Sequence, residues 1–282
     1  MRSNFYAAVT IILWGAMPAL TKDLLNTLPP FETLALSSLF AFLFLLAVKL
    51  RAGTLKKFLT PEKILTAAGL GFLGLFLYSA FFYYGLARLT SQEACILNYL
   101  WPLMIVLFSV PILDEKLTRR KLLAVGMSFA GVVLVMIGGV EYFSPEKIWG
   151  ALSCIVAAAC YGLFSMLNKL WRLEQKSAMM IIWATTAIFA FAFGYLFEEW
   201  TLPSFGEIFG LLWLGILIDA VAYLTWALAL EKTANVVWTA NLAYLVPILA
   251  IFISTFAFGE ELSPAVIPAL VLVIGGILTM RN

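Results

Sequence analysis

Residues 98–118 read NYLWPLMIVLFSVPILDEKLT and residues 243–263 read AYLVPILAIFISTFAFGEELS. Laid over one another at an offset of 145, Tyr99-Leu100-Trp101-Pro102 falls on Tyr244-Leu245-Val246-Pro247, and Asp114-Glu115-Lys116-Leu117-Thr118 falls on Gly259-Glu260-Glu261-Leu262-Ser263. A second match, at an offset of 147, puts Trp14-Gly15 and Lys22 over Tyr161-Gly162 and Lys169. The chain is therefore expected to be one unit written twice, at residues 1–142 and 143–282, with the two copies forming a single domain.

The medium of that unit follows from composition. Of the 282 residues, 63% are apolar and 12% charged, against about 45–50% and about 25% in a water-soluble domain. With about 20 apolar residues needed for each bilayer crossing, the chain has room for ten spans and none for an attached soluble domain. The spans are placed at Asn4 to Leu24, Phe31 to Leu50, Ile64 to Leu86, Gln92 to Leu113, Lys121 to Val140, Trp149 to Trp171, Ala178 to Phe197, Ile208 to Leu230, Ala234 to Phe258 and Pro264 to Met280. The first is expected to be a retained helix and not a removed signal peptide, because it carries Trp14 and Pro18 and no small-residue cleavage site. The expected fold is an all-α polytopic membrane protein of ten transmembrane helices.

Charge orients this arrangement. Of the 18 basic residues, only Lys22, Arg88 and Lys147 fall on one side of the span map, which leaves fifteen on the other, and the basic side is cytoplasmic. Both termini are expected there, in the inner membrane of a bacterium. Five spans per copy is an odd number, so the second copy enters from the opposite side, giving two inverted five-helix repeats, an architecture found mainly in transporters.

Several function classes lose support. The net charge of +2 and its placement give no footing for nucleic acid. There is no histidine, so the commonest metal ligand and mid-pH proton relay are missing. Cys95, Cys154 and Cys160 lie in apolar runs without CxxC spacing. No phosphate-cradling GxxxxGK[ST] stretch occurs, and no HExxH. An intramembrane enzyme would need an acid, base or metal cluster, and a channel would need a ring of like polar groups. Neither pattern is present, no cofactor is implied, and a monomer suffices.

The five-plus-five arrangement, the fourth-span pattern of proline followed by an acidic residue and Leu-Thr or Leu-Ser, and the lysine after the first and sixth spans resemble the drug/metabolite transporter superfamily, EamA type. The resemblance covers essentially the whole chain. Asn98-Tyr99-Leu100-Trp101-Pro102 and Asn168-Lys169 are most similar to its bacterial aromatic amino acid exporter branch. The resemblance implies a secondary transporter whose central cavity, lined by spans one, three, four, six, eight and nine, opens alternately to the two sides.

Polar and aromatic residues inside spans are where such a function would lie, since each polar group in hydrocarbon is costly unless it faces a cavity or a partner. Asn98 and Trp101 share a face of span four, as do Asn241 and Tyr244 of span nine, at a spacing of three, and Tyr78 and Phe82 share one on span three at a spacing of four. With Trp14, Tyr99, Tyr161 and Trp238 they would build an aromatic cavity with amide and hydroxyl hooks. Packing against lipid or neighbouring helices is the alternative, and it is the reading for Trp149, Trp171 and Trp200 at span ends. Asp219, near the middle of span eight, is read as a substrate-amine or proton site, or as a buried interhelical hydrogen bond. Glu93 either attracts an ammonium group or complements a helix dipole, and Glu32 takes the second reading. Lys22 and Lys169 either close opposite gates or snorkel to the interface. Pro18, Pro102 and Pro247 free backbone carbonyls within spans, whereas Gly69, Gly71, Gly74, Gly131, Gly138 and Gly139 permit close helix packing.

The expected solute is a small amphipathic metabolite, an amino acid and above all an aromatic one, moved across the bilayer with proton coupling through Asp219 or Glu93 as one option. A carrier for choline-like amines or drug-like cations is the alternative.

Overall fold

The computed structural model describes residues 2–53, 60–113, 118–138, 144–171, 173–232, 245–262 and 264–279. Among these, every regular element is a helix. In chain order they are α1 (Arg2–Leu25), α2 (Pro30–Arg51), α3 (Pro61–Leu86), α4 (Ser91–Asn98), α5 (Trp101–Leu113), α6 (Arg119–Gly138), α7 (Pro145–Trp171), α8 (Gln175–Phe197), α9 (205–232), α10 (Leu245–Phe258) and α11 (Val266–Thr279). Six stretches are long and apolar enough to cross a bilayer: Asn4–Leu25, Pro30–Arg51, Pro61–Leu86, Pro145–Asn168, Gln175–Phe197 and Phe205–Trp226. They coincide with sequence spans one, two, three, six, seven and eight. The chain is a multi-pass membrane protein, and large apolar side chains such as Phe129, Ile188 and Val271 stand about two-thirds exposed on its outer surface, as lipid-facing residues would.

Helix ends inside or near a bilayer must find partners for their first N–H groups, and the sequence supplies them. Thr90 and Glu93 form a reciprocal capping box on α4, and Ser204 and Glu207 form another on α9. The α2 terminus opens on Pro29 and Pro30, which lack a capping side chain, and Glu198 beyond the end of α8 substitutes: its carboxylate accepts from the N–H groups of Phe31 at 2.9 Å and Glu32 at 3.0 Å. At the other end of the same helix pair, Glu174 caps α8 and is bonded by Lys49 of α2 at 3.4 Å. Burial pushes the Glu174 carboxyl up, but hydrogen bonds from Ser177 and the charge of Lys49 outweigh it and hold it below the usual glutamate value. For Glu198 burial wins over the two backbone donors, and its carboxyl is pushed up.

The expected fourth span is interrupted. Instead of one helix from Gln92 to Leu113, α4 stops at Asn98, Tyr99 and Leu100 form a turn, and α5 starts at Trp101. The sequence contributes to this: Pro102 has no N–H to return to the Asn98 carbonyl, so the helix loses a hydrogen bond at the register where it breaks. Pro18 lies within a continuous α1.

Two further irregularities were not foreseen. Residues Phe72–Leu77 of α3 and Trp213–Ala222 of α9 are wound as π-helix. Neighbouring hydroxyls serve the loosened backbone: Thr186 donates to the Gly71 carbonyl, and Thr10 and Thr225 donate to that of Ala222 at 3.2 and 3.0 Å. The glycines sit at helix crossings. A Cβ on Gly71 would lie 2.8 Å from the Ile182 carbonyl oxygen of α8, and one on Gly215 would overlap the Ser37 carbonyl of α2. Likewise a Cβ on Gly15 would meet Leu249 of α10 at 2.8 Å, and one on Gly162 would meet Met104 of α5 at 2.6 Å.

Candidate functional site

A cavity of about 460 Å³, the space at its open mouth included, lies among α1, α3, α4, α5, α7, α9 and α10. These helices correspond to spans one, three, four, six, eight and nine, the set that the resemblance implies. The lining is Trp14, Met17, Pro18, Tyr78, Phe82, Cys95, Asn98, Tyr99, Trp101, Tyr161, Tyr223 and Val246. Seven of the ten aromatic and amide residues singled out in the sequence thus converge on one volume. The other three, Trp238, Asn241 and Tyr244, lie outside the described residues, as does the side chain of Lys169 on α7.

The rings form a connected set. Tyr161 meets Tyr78 at 5.1 Å between centroids, Trp101 at 5.4 Å and Tyr223 at 6.3 Å, while Tyr223 meets Trp14 edge-on at 5.2 Å. Tyr78 and Phe82, one turn apart on α3, lie parallel at 5.9 Å. Distances of this order are those of favourable aromatic pairs, so the walls of the cavity support one another. A planar solute would replace ring–ring contacts by ring–solute contacts of the same kind.

Polar groups are few. The Asn98 amide donates to the Tyr78 hydroxyl at 3.1 Å. Two buried atoms in the lining have no partner among the described residues: Asn98 Oδ1, an acceptor, and Trp14 Nε1, a donor. Buried polar atoms of this kind are uncommon and costly, so an unpartnered acceptor and an unpartnered donor in one cavity mark places for a ligand's own donor and acceptor. No charged side chain is among the described lining residues.

Helix geometry adds a second polar pattern. The break at Asn98 to Trp101 brings the C-terminal end of α4 and the N-terminal end of α5 to the cavity wall. The first carries partial negative charge and the second partial positive charge. Both π segments end at cavity tyrosines, Phe72–Leu77 just before Tyr78 and Trp213–Ala222 just before Tyr223, in keeping with the frequent placement of such distortions at functional sites.

Tyr223, Met17, Cys95 and Val246 were not singled out by sequence reasoning. For Tyr223 the signal was present, since it stands 145 residues after Tyr78, the same offset that aligns Tyr99 with Tyr244. The charged candidates lie elsewhere. Glu93 is engaged in the α4 capping box and pairs with Lys147 at 3.3 Å. Lys22 donates to the Leu86 carbonyl at the end of α3 at 2.6 Å. Glu32 accepts from the Thr201 N–H at 2.9 Å. Nearby, Glu260 accepts from both the N–H and the hydroxyl of Ser91 at the start of α4. Asp219 is buried on α9, one turn before Tyr223.

Comparison with known proteins places this arrangement. The sequence matches the model of the EamA-like transporter family over residues 1–137 and again over residues 148–281. It is 29% identical to the aromatic amino acid exporter YddG of Ancylobacter novellus, over 94% of this chain and 92% of that one. It is 27% identical to an uncharacterized transporter of Archaeoglobus fulgidus, over 100% and 96% of the two chains. A crystal structure of a protein 25% identical in sequence superposes with a TM-score of 0.73, covering 99% of this chain and 96% of the other.

Proposed function

We propose that this chain, which belongs to the EamA-like transporter family, exports aromatic amino acids across the bacterial inner membrane by alternating access. The observation that carries the substrate class is the pairing, within one aromatic cavity, of an unpartnered acceptor at Asn98 and an unpartnered donor at Trp14. An amino acid is a zwitterion of no net charge. Its ammonium group satisfies Asn98 Oδ1 and the C-terminal end of α4, and its carboxylate satisfies Trp14 Nε1 and the N-terminal end of α5. Its ring takes the place of a wall–wall contact beside Tyr161. Among the described lining residues no side chain carries a countercharge, which disfavours choline-like and drug-like cations. The relative from Ancylobacter novellus is named for the same substrate class.

The architecture proposed with this function is ten helices in two inverted repeats, residues 1–142 and 143–282, acting as a monomer with both termini in the cytoplasm. Four glycine contacts support it. Gly71 and Gly215 are 144 apart, and their partners Ser37 and Ile182 are 145 apart with the roles of the halves exchanged. Gly15 and Gly162 are 147 apart, and their partners Met104 and Leu249 are 145 apart, exchanged again. A pseudo-two-fold axis between the halves produces this reciprocity. The two π segments fall on matching spans as well.

Counterflow in proteoliposomes tests the function. Unlabelled tryptophan or phenylalanine inside the vesicles is expected to accelerate entry of labelled tryptophan, whereas choline, threonine and alanine are not. Acceleration by choline in place of the aromatic amino acids would overturn the substrate assignment, and absence of acceleration by any load from folded protein would overturn it as well.

A further inference from the structure

The first turn of α4 lies at the membrane face where α1 and α3 end, a face marked by the bond from Lys22 to the Leu86 carbonyl. Yet it is shut away from water: Ser91, Gln92 and Glu93 are 2%, 1% and 6% exposed. Each of these three consecutive polar residues reaches into the second half of the chain. Ser91 donates to Glu260 Oε1, from its N–H at 2.7 Å and from its hydroxyl at 2.5 Å. The Gln92 amide donates to the Thr255 hydroxyl at 3.2 Å and to the Glu261 carbonyl at 3.4 Å. Glu93 Oε1 accepts from Lys147 at 3.3 Å. Gly259 shapes the other side of the seam. Its φ of 69°, a left-handed value that glycine adopts without strain, turns the chain back after α10, the Glu260 N–H bonds the Ser254 carbonyl at 2.9 Å, and the Glu260 carboxylate comes over the start of α4.

The seam is underbonded. Glu260 Oε2 and Gln92 Oε1 are buried with no hydrogen-bond partner among the described residues. A static clamp satisfies its buried acceptors, whereas here opening returns both to water and offsets part of the bonds broken. Nor is the seam repeated in the other half. At the offset of 145 that aligns Tyr99 with Tyr244, Ser91-Gln92-Glu93 falls on Val236-Val237-Trp238, and Thr255 falls on Val110. The matching stretch of span nine thus carries a single side-chain donor, the indole N–H, and no side-chain acceptor.

We propose that Ser91, Gln92 and Glu93 form a latch on the outer gate that the inner gate lacks, so that the empty carrier rests closed to the outside and open to the cytoplasm, the side from which an exported solute loads. The latch is coupled to the cavity by a short rod. Helix α4 has 8 residues, with the latch in its first turn and Asn98, the assigned partner of the solute's ammonium group, at its end. A solute that draws on Asn98 moves the latch with it.

The inference rests on the alternating-access reading, and its test uses no solute. Hydrogen exchange of the whole chain in lipid nanodiscs is followed by mass spectrometry over two stretches, residues 88–98 and residues 233–243. In the wild type the first is expected to exchange slowly and the second fast; equal rates would overturn the proposal. Glu260→Ala removes the acceptor of Ser91. It is expected to speed exchange over 88–98 by about tenfold or more, the equivalent of one hydrogen bond to a charged group, and to slow it over 233–243, because opening one gate closes the other. Acceleration confined to 88–98 is what a merely structural contact gives, and that result, or no change, would overturn the latch. Should both stretches accelerate, the variant is loosened as a whole, and Ser91→Ala, which removes one hydroxyl, decides: the reciprocal shift supports the proposal and any other result refutes it. Absence of tryptophan counterflow with the reciprocal shift intact would strike the substrate and leave the latch standing.

Discussion

Replacing Trp14 by phenylalanine removes one hydrogen-bond donor from the cavity and leaves most of a ring in place. The remaining ring keeps its contacts with Tyr223 and Trp226, whose centroids lie at 5.2 and 5.5 Å. In the empty protein Nε1 is buried and unpartnered among the described residues, so its removal relieves a desolvation cost and thermal stability is not expected to fall. In the loaded protein the same N–H is assigned to the solute carboxylate. A hydrogen bond to a charged group contributes about 1.5–3 kcal/mol, which at about 1.4 kcal/mol per decade corresponds to a loss of roughly 10- to 150-fold in affinity. Equilibrium binding of labelled tryptophan to detergent-solubilised protein measures it directly. Tryptamine, which lacks the carboxylate, provides the control and should bind wild type and variant alike. An unchanged affinity for tryptophan, or an equal loss for tryptophan and tryptamine, would refute the assignment of Trp14 to the carboxylate.

Other substitutions test the remaining parts. Gly74→Ala should destabilise the protein by about 1–3 kcal/mol, because the added Cβ overlaps the Phe164 ring, whereas Gly69→Ala, with nothing within 4 Å, should stabilise by about 0.5–1 kcal/mol; thermal melting compares them. Thr90→Ala removes the acceptor for the Glu93 N–H and should cost about 0.5–2 kcal/mol, read by the same melt. Glu174 is held below its ordinary value in the folded state, so its contribution to stability is full above the unfolded value and is lost as pH falls through the lower folded one. Glu174→Gln should therefore flatten the acid limb of the stability profile, and an unaltered limb would exclude Glu174 as its source.

Six of the spans were legible because apolar length against charge is a strong signal, and seven of the residues that line the candidate cavity could be singled out because aromatic and amide residues at helical spacing stand out in a hydrocarbon background. Asn98, Tyr99 and Trp101 were found that way, together with Tyr78, Phe82, Tyr161 and Trp14. The break at Tyr99 and Leu100 was half visible: Pro102 announces a missing donor, but the proline in α1 shows that such a loss need not end a helix. The π segments left no mark, since Phe72–Leu77 and Trp213–Ala222 read as ordinary apolar helix. Tyr223 was missed by treating each half separately instead of carrying Tyr78 across the repeat. Hydrogen bonds such as Glu198 to the α2 terminus and Glu260 to Ser91 join residues 166–169 positions apart, a relation that local sequence patterns do not encode.

Cys95 lines the cavity three residues before Asn98, and Cys154 is fully buried elsewhere. The candidate cavity thus comes with a native chemical handle. Its alkylation by a membrane-impermeant reagent, applied from one face of sealed vesicles and then from the other, reports which doorway stands ajar. Protection by a resident solute reports occupancy at the same atom, without an engineered label.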